Sequence, residues 1–291
     1  MTRNNFCLAL CAAGLVLSLS ASNAQVTVYP NNPSGDFLSG ANPTTPIGAS
    51  GWVYTNVRTD GAIGINGTLP QSGNGSVAMS TSSATGKADV EYYGNLGRLG
   101  NLNSLSYDYY RKGSSTTTNW LAPSLRIYVD ADGNIETNGD KGYLIFEPVY
   151  NNGNSAVTTD AWVSTDVFNY SGAGQSANVW LRQFGVGTDP VFNRTLQGWI
   201  AGQNDAGFMT LSGDSLVYGL SSGVGSGWAG TFDGAVDNIN IGFGGVVPSA
   251  LGTTFNFELR PTAVPEPGSV AMLAGMSLAS GLVAVRRLRR K

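Results

Sequence analysis

The chain has 291 residues, a formal net charge of −3, 42% hydrophobic but only 12% charged residues, and 40 glycines. It contains no histidine, which excludes Ser-His-Asp and Cys-His catalysis and removes the commonest zinc ligand. Both cysteines, Cys7 and Cys11, lie in the first apolar run, so no disulfide framework holds the rest of the chain together.

Arg3 precedes the apolar run Phe6 to Leu19, and Ser22-Asn23-Ala24 places small residues where signal peptidase reads them. Residues 1–24 are therefore expected to be a secretory signal peptide cut between Ala24 and Gln25, the run being too short and wrongly flanked for a membrane span. The segment 25–263 is long enough for one domain with its own core. From Gln25 to Val264 there are ten Lys/Arg and eighteen Asp/Glu, a net charge of −8. That balance argues against nucleic acid and against anionic polysaccharide held by simple charge, and favours neutral or calcium-bridged glycans.

Val26 to Tyr29 is a short strand candidate, followed by Pro30, Pro33, Pro43 and Pro46 in what reads as a loop or arm up to Ser50. Short β-rich segments then recur between Gly, Asn and Asp clusters, the signature of an all-β sandwich or barrel. The candidates are Trp52 to Arg58, Gly61 to Ile65, Ser76 to Thr81, Ala88 to Tyr93 and Ser104 to Tyr110. Alternation is cleanest in Leu105, Tyr107, Tyr109 against Ser104, Ser106, Asp108, and in Leu125, Ile127, Val129 against Arg126, Tyr128, Asp130. Each predicts one dry and one wet face. Asn66-Gly67, Asp132-Gly133-Asn134, Asn138-Gly139 and Asn151-Asn152-Gly153 supply the positive φ of tight turns. Tyr143 to Tyr150 reads as a long strand that Pro148 makes bulge or lie at an edge.

Ala161 to Phe168 and Asn178 to Gln183 follow as strands. Leu196, Trp199 and Ile200 share a face at i, i+3, i+4 behind Thr195 or Asn193, which predicts a single two-turn helix over Thr195 to Ala201. Ser215 to Ser221, Phe232 to Phe243 and Thr253 to Arg260 complete the sheets, with Phe255, Phe257 and Leu259 facing in and Thr254, Asn256 and Glu258 facing out. The phrase Phe232-Asp233-Gly234-Ala235-Val236-Asp237-Asn238 resembles the closing strands of concanavalin-like jelly rolls, which implies a jelly-roll-like β-sandwich.

Asp130, Asp132, Asn134, Glu136 and Asp140 place hard oxygen ligands at alternate positions of one loop, a pattern that wraps Ca²⁺ or simply makes a solvated Asp-Gly hairpin. It is not an EF-hand, because Gly133 comes two places early. Asp233, Asp237 and Asn238 form a weaker candidate of the same kind. Trp120, in a polar stretch, and Trp228, in a glycine-rich loop, are the rings best placed to lie against a sugar, although sandwich cores also consume aromatics. Glu91 and Glu147 are the carboxylates to pair on neighbouring strands if the body is a glycosidase.

The chain closes on Val264-Pro265-Glu266-Pro267, an uncharged run from Gly268 to Val285, and a tail containing Arg286, Arg287, Arg289, Arg290 and Lys291. As a helix the run would cover about 27 Å, just enough to cross a membrane, and the basic tail would stay in the cytoplasm. Pro265 and Pro267 keep Pro-Glu-Pro extended and outside that helix. An ordinary single-pass anchor explains the same residues. The three parts in this order at the C-terminus resemble the PEP-CTERM sorting signal of Gram-negative bacteria, also called the ice-binding protein C-terminal domain. The resemblance covers Val264 to Lys291. It implies processing by an exosortase, a membrane transpeptidase-like enzyme, near Pro265, Glu266 and Pro267, then release from a transient inner-membrane anchor to the cell surface, in a family associated with exopolysaccharide and biofilm.

The expected whole is an exported, all-β, jelly-roll-like sandwich with one short helix over 25–263, plus a sorting segment over 264–291 with a transmembrane helix over 268–285. Its partners would be signal peptidase, the exosortase and extracellular polysaccharide, with no cofactor unless the acidic loop takes Ca²⁺. The body is expected to be a non-catalytic structural or glycan-binding module; the alternatives are a secreted hydrolase using two acids and a membrane-anchored protein whose tail is never cut.

Overall fold

Runs of alternating apolar residues between Gly and Asn turns cannot bury their dry faces singly, and they stack as two sheets. The computed structural model describes residues 24–58, 60–170, 175–187, 189–244 and 252–261. In order these form β1 (Ala24–Val28), β2 (Leu38–Ser39), β3 (Thr45–Pro46), β4 (Trp52–Thr55), β5 (Gly61–Asn66), β6 (Ser76–Thr81), β7 (Lys87–Arg98) and β8 (Leu102–Arg111). There follow β9 (Ser124–Asp130), β10 (Lys141–Phe146), β11 (Trp162–Asp166), β12 (Trp180–Gln183), α1 (Leu196–Ile200), β13 (Leu216–Gly225), β14 (Phe232–Phe243) and β15 (Gly252–Phe257). The sequence-predicted sandwich and its short helix are both present. The predicted span over 268–285, the motif at Pro265 to Pro267 and the basic tail lie outside the described residues, among which no helix is long and apolar enough to cross a membrane.

In the eight-stranded sheet β14 is the axis. One of its edges pairs with β8, which in turn pairs with β11. The other edge is divided: Phe232 to Val236 pair with β6, and Ile239 to Gly242 pair with β15. The division falls at Asn238, whose φ of 48° sits in a register shift between Asp237 and Asn240. Asparagine tolerates this left-handed conformation where a branched residue would not. β6 continues into β5 and β2, while β15 takes β1 as a parallel neighbour, so the strand candidate at Val26 is a sheet strand over Ala24–Val28. The second sheet runs β12-β10-β9-β13-β7-β4-β3, antiparallel throughout.

The core lies between the sheets. Trp52 of β4 meets Phe255 and Phe257 of β15 edge-on, at 5.1 Å between ring centroids in each case, and Tyr107 of β8 meets Phe146 of β10 at 6.0 Å. Each such ring contributes about 2 kcal/mol or more by leaving water. Tyr54 ties the loop between β1 and β2 to β5: its hydroxyl donates to Asp36 Oδ2 at 3.0 Å and accepts from the Ile65 N–H at 2.9 Å. Helix α1 starts where Thr195 Oγ1 accepts the Gly198 N–H at 3.0 Å, so Thr195 and not Asn193 is its cap.

Three sequence expectations are corrected. The strand predicted over Tyr143 to Tyr150 stops at Phe146, and Pro148, which has no N–H to give a ladder, opens a 3-10 turn instead of making a bulge. Asn256 and Glu258 do not face solvent; both are buried, and Glu258 Oε2 accepts the Asn74 N–H. The polar side of β9 is not wet either, since Arg126, Tyr128 and Asp130 are all buried.

Asp237, at the division of β14, is fully buried; its Oδ1 accepts the N–H groups of Asn238 and Phe257, at 2.8 and 2.9 Å. Burial nevertheless outweighs those bonds and pushes its carboxyl up to about 7. A raised carboxyl keeps a proton in the folded state that the unfolded chain has released, so stability falls as pH rises from about 4 through about 7. Urea unfolding across that range should show this slope in the wild type, and Asp237→Asn should flatten it by on the order of 4 kcal/mol in total.

Candidate functional site

On the face of the seven-stranded sheet that points away from the core, pairing register sets side chains in rungs. Asp89 (β7), Gly223 (β13) and Ser124 (β9) form one rung; Glu91, Ser221, Arg126, Ile145 (β10) and Trp180 (β12) form the next; Tyr93, Gly219, Tyr128, Tyr143 and Arg182 form a third. Glycine at 223 is required by the second neighbour. A Cβ there would stand 1.8 Å from Asp89 Oδ1, so only a bare backbone lets Asp89 lie across β13 and reach Arg126 on β9. The pair closes at 2.8 Å with Asp89 fully buried, and Asp89 Oδ2 also takes Lys87 Nζ at 2.9 Å and Asn56 Nδ2 at 2.9 Å. Burial alone would weaken the Arg126 charge, but Asp89 outweighs it and holds the guanidinium above its ordinary range.

Aromatic side chains roof the third rung. Tyr128 packs 4.4 Å from Tyr143, 5.1 Å from Tyr93 and 5.4 Å from Tyr218, and Phe184 lies 4.7 Å from Tyr143. Tyr93 donates its hydroxyl to Glu91 Oε2 and lies 3.0 Å from the Tyr128 hydroxyl. These rings explain why the polar face of β9 is dry: its neighbours supply the cover that solvent was expected to supply.

Beyond the roof the face opens into a cavity of about 460 Å³. Its walls include Arg126, Tyr143, Glu147, Trp180, Arg182 and Trp228. Glu147 follows β10, is half-buried, and its Oε2 accepts the indole N–H of Trp180 at 3.0 Å. Burial pushes its carboxyl up, against the opposing pull of the Trp180 bond and the Arg126 charge. The arrangement is a carboxyl raised by burial, set among aromatic surfaces and cations.

The residues singled out from sequence fare differently. Trp228 lines the cavity, although it is mostly buried and packs 5.3 Å from Phe232. Trp120 is half-buried and is not among the cavity residues. Glu91 and Glu147 are not on neighbouring strands, since β13 and β9 separate β7 from β10. Asp130, Asp132 and Asp140 converge, each offering an oxygen within 4.8 Å of the others. Asn134 and Glu136 do not join them: Asn134 Oδ1 accepts the Glu136 N–H at 3.3 Å, and both residues are exposed. Burial, with the charge of Asp140, pushes the Asp130 carboxyl up; the Asn134 N–H holds Asp132 down. The weaker acidic candidate dissolves, because Asp233 is paired with Lys112 at 2.6 Å and Asp237 is occupied by backbone N–H groups. Ala24 and Gln25 open β1, opposite Thr253 and Thr254. Asp89, Arg126, Trp180 and Arg182 were missed by sequence reasoning; their signal was the polar half of each alternating strand, read as plain solvent face.

No family model matches this chain, and no curated protein matches it. Solved structures similar to it include a mutant of ENZbleach xylanase, at 11% identity over 84% of this chain and 94% of that one, with a TM-score of 0.38. They also include the family 11 carbohydrate-binding module from Clostridium thermocellum in complex with a β-1,3-1,4-mixed-linked tetrasaccharide, at 15% identity over 70% and 93% with a TM-score of 0.37. A third is the endo-β-1,4-glucuronan lyase from the fungus Trichoderma reesei, at 13% identity over 72% and 95% with a TM-score of 0.38. Likeness at this level bears on the all-β sandwich fold alone. The expectation of a non-catalytic body is corrected: a xylanase and a lyase stand beside a binding module among the similar structures.

Removing Asp89 leaves two cations without their shared partner, a change that typically costs about 3–5 kcal/mol when the charge is buried. Gly223→Ala should cost a similar amount by displacing the same carboxylate. Because both disturb one ion pair while the new Cβ also meets the Ala88 carbonyl at 2.7 Å, urea unfolding of the double variant Asp89→Ala/Gly223→Ala should show a loss smaller than the sum of the single changes.

Proposed function

We propose that the body is a polysaccharide-active module of an exported protein, holding a glycan against the outer face of the seven-stranded sheet. The observation that carries this reading is the position of Glu147: a carboxyl raised by burial, fixed by the Trp180 indole, at the wall of a cavity that also holds Tyr143 and Trp228. Aromatic rings lie against the apolar faces of pyranoses, and a carboxyl raised by burial is suited to protonate a leaving glycosidic oxygen. Glu91, the other carboxylate of an acid-pair reading, is buried on β7, accepts the Tyr93 hydroxyl and is not in the cavity wall, so the reading rests on Glu147.

The test is a panel of neutral and uronic-acid polysaccharides, with reducing-end release and binding both measured. On the substrate that is cut, Glu147→Gln should lower kcat by about 10²-fold or more while binding persists, and Trp180→Ala should weaken binding. No binding to any member would end the reading; binding without release would remove the acid-pair chemistry from it.

We also infer that Val264 to Lys291 directs the protein to the cell surface, on the strength of the order Pro-Glu-Pro, uncharged run, basic tail at the C-terminus. The intact mass of the protein recovered from cells should end near Pro265 to Pro267, and Glu266→Ala should leave a full-length, membrane-retained product. Retention of Lys291 in both would make the segment an anchor only.

A further inference from the structure

The body after Ala24 has neither histidine nor cysteine, so any metal it holds must be bound by oxygen, the preference of hard cations. The hairpin joining β9 to β10 is where oxygens crowd. Asp130 ends β9 with no exposure to solvent, and both of its carboxylate oxygens are buried without a hydrogen-bond partner among the described residues. An unpartnered buried carboxylate is costly, and such groups are paired, protonated or bound to a cation. Asp132 and Asp140 stand on the same spot, with one oxygen from each of the three within 4.8 Å of the others. That spacing is what three ligands on a sphere of radius about 2.4 Å allow.

The neighbours do not neutralise this charge. Among the described residues, no lysine or arginine lies within 4.0 Å of these three carboxylates. Lys141 donates to the Ile135 carbonyl and Arg98 to the Asp214 carbonyl. The hydroxyl of Thr137 is 3.2 to 3.4 Å from both oxygens of Asp132 and both of Asp140, but it has one proton and lies closest to the Asn134 carbonyl, at 2.7 Å. Four carboxylate oxygens therefore gather round a donor that can serve only one acceptor.

We propose that Asp130, Asp132 and Asp140 form a Ca²⁺ site that closes the β9–β10 hairpin, with water and backbone carbonyls completing the shell. Ca²⁺ suits three carboxylates on an irregular loop better than Mg²⁺, which demands near-ideal octahedral geometry and gives up its water reluctantly. The ion's role is structural. The Ala131 N–H donates to the Asp140 carbonyl at 2.9 Å, and Gln183 ties the loop to the segment after α1 by donating to the Gly139 carbonyl and accepting the Met209 N–H. A cation here locks a hairpin already drawn together. The site is independent of the glycan reading, since neither Asp130 nor Asp132 nor Asp140 lines the cavity that contains Glu147.

Thermal unfolding of the full-length protein, stripped with EGTA and titrated with CaCl2, tests this. The midpoint should rise and saturate at one Ca²⁺ per chain by equilibrium dialysis, with a smaller rise for equal Mg²⁺. Asp132→Asn should weaken Ca²⁺ binding by about tenfold or more, whereas Asn134→Ala and Glu136→Ala should leave it unchanged. Asp130→Asn should unfold later than the wild type in EGTA, having lost an unpaired buried charge, and earlier than the wild type in saturating Ca²⁺. Terbium luminescence on Asp132→Asn gives the same reading should Asp130→Asn fail to fold. An unchanged midpoint in millimolar Ca²⁺, or equal affinity in wild type and Asp132→Asn, would overturn the site.

Discussion

Arg126 and Asp89 meet across an entire intervening strand, and the outer face of the seven-stranded sheet is arranged around that contact. The two residues belong to β9 and β7, and only the missing side chain of Gly223 on β13 leaves room for the carboxylate to pass. Once the pair is buried it must be kept dry on every side, because a charge that loses its partner in a low-dielectric setting has nothing to replace it. The tyrosines at 93, 128, 143 and 218 provide the cover on one flank. Where the cover stops, the cavity beside Glu147 begins, with Arg126 in its wall. The cavity thus inherits its polarity from a structural ion pair, and the rise of the Glu147 carboxyl follows from the same exclusion of water.

Much of the fold was legible in the sequence because strand and turn signals are local. Ser76–Thr81 and Phe232–Phe243 appear with their predicted limits, and Thr195 caps the one short helix as its hydroxyl and the apolar spacing behind it suggest. What failed was any step that needed to know a strand's neighbours. The alternation of Leu125, Ile127 and Val129 with Arg126, Tyr128 and Asp130 says that two faces differ, not that one is wet. A polar row on a central strand can be buried under side chains from β7, β10 and β13, and here it is. The end of β15 fails for the same reason, Glu258 being covered by the loop that carries Asn74.

The candidate site shows the same division. Trp228 and the acidic loop could be picked out because glycine-rich and Asp-rich loops announce themselves one residue at a time. Trp180 and Arg126 could not, because their meaning depends on the order β12-β10-β9, which joins segments far apart in sequence. Glu91 and Glu147 illustrate the cost of guessing that order: β9 and β13 stand between β10, which Glu147 follows, and β7, which carries Glu91. Of the five acidic-loop oxygens expected to act together, three do, because Asn134 spends its side chain on the turn that Gly133 begins.

β9 carries an unpartnered carboxylate at one end and the Arg126 ion pair four residues earlier, about 13 Å away along an extended chain. Their shared consequence is register. A slip of one residue would turn Arg126, Tyr128 and Asp130 into the core and bring Leu125, Ile127 and Val129 out, reversing every contact of the strand. Apolar packing alone penalises that slip only in proportion to the area exposed. An arginine that must find Asp89 penalises it at a specific point, whatever the pair contributes to net stability, and Asp130 adds a second such point once the proposed cation joins it to Asp132 and Asp140. Buried charge here specifies one pairing of a central strand, and the cavity beside Glu147 is formed only when that pairing is correct.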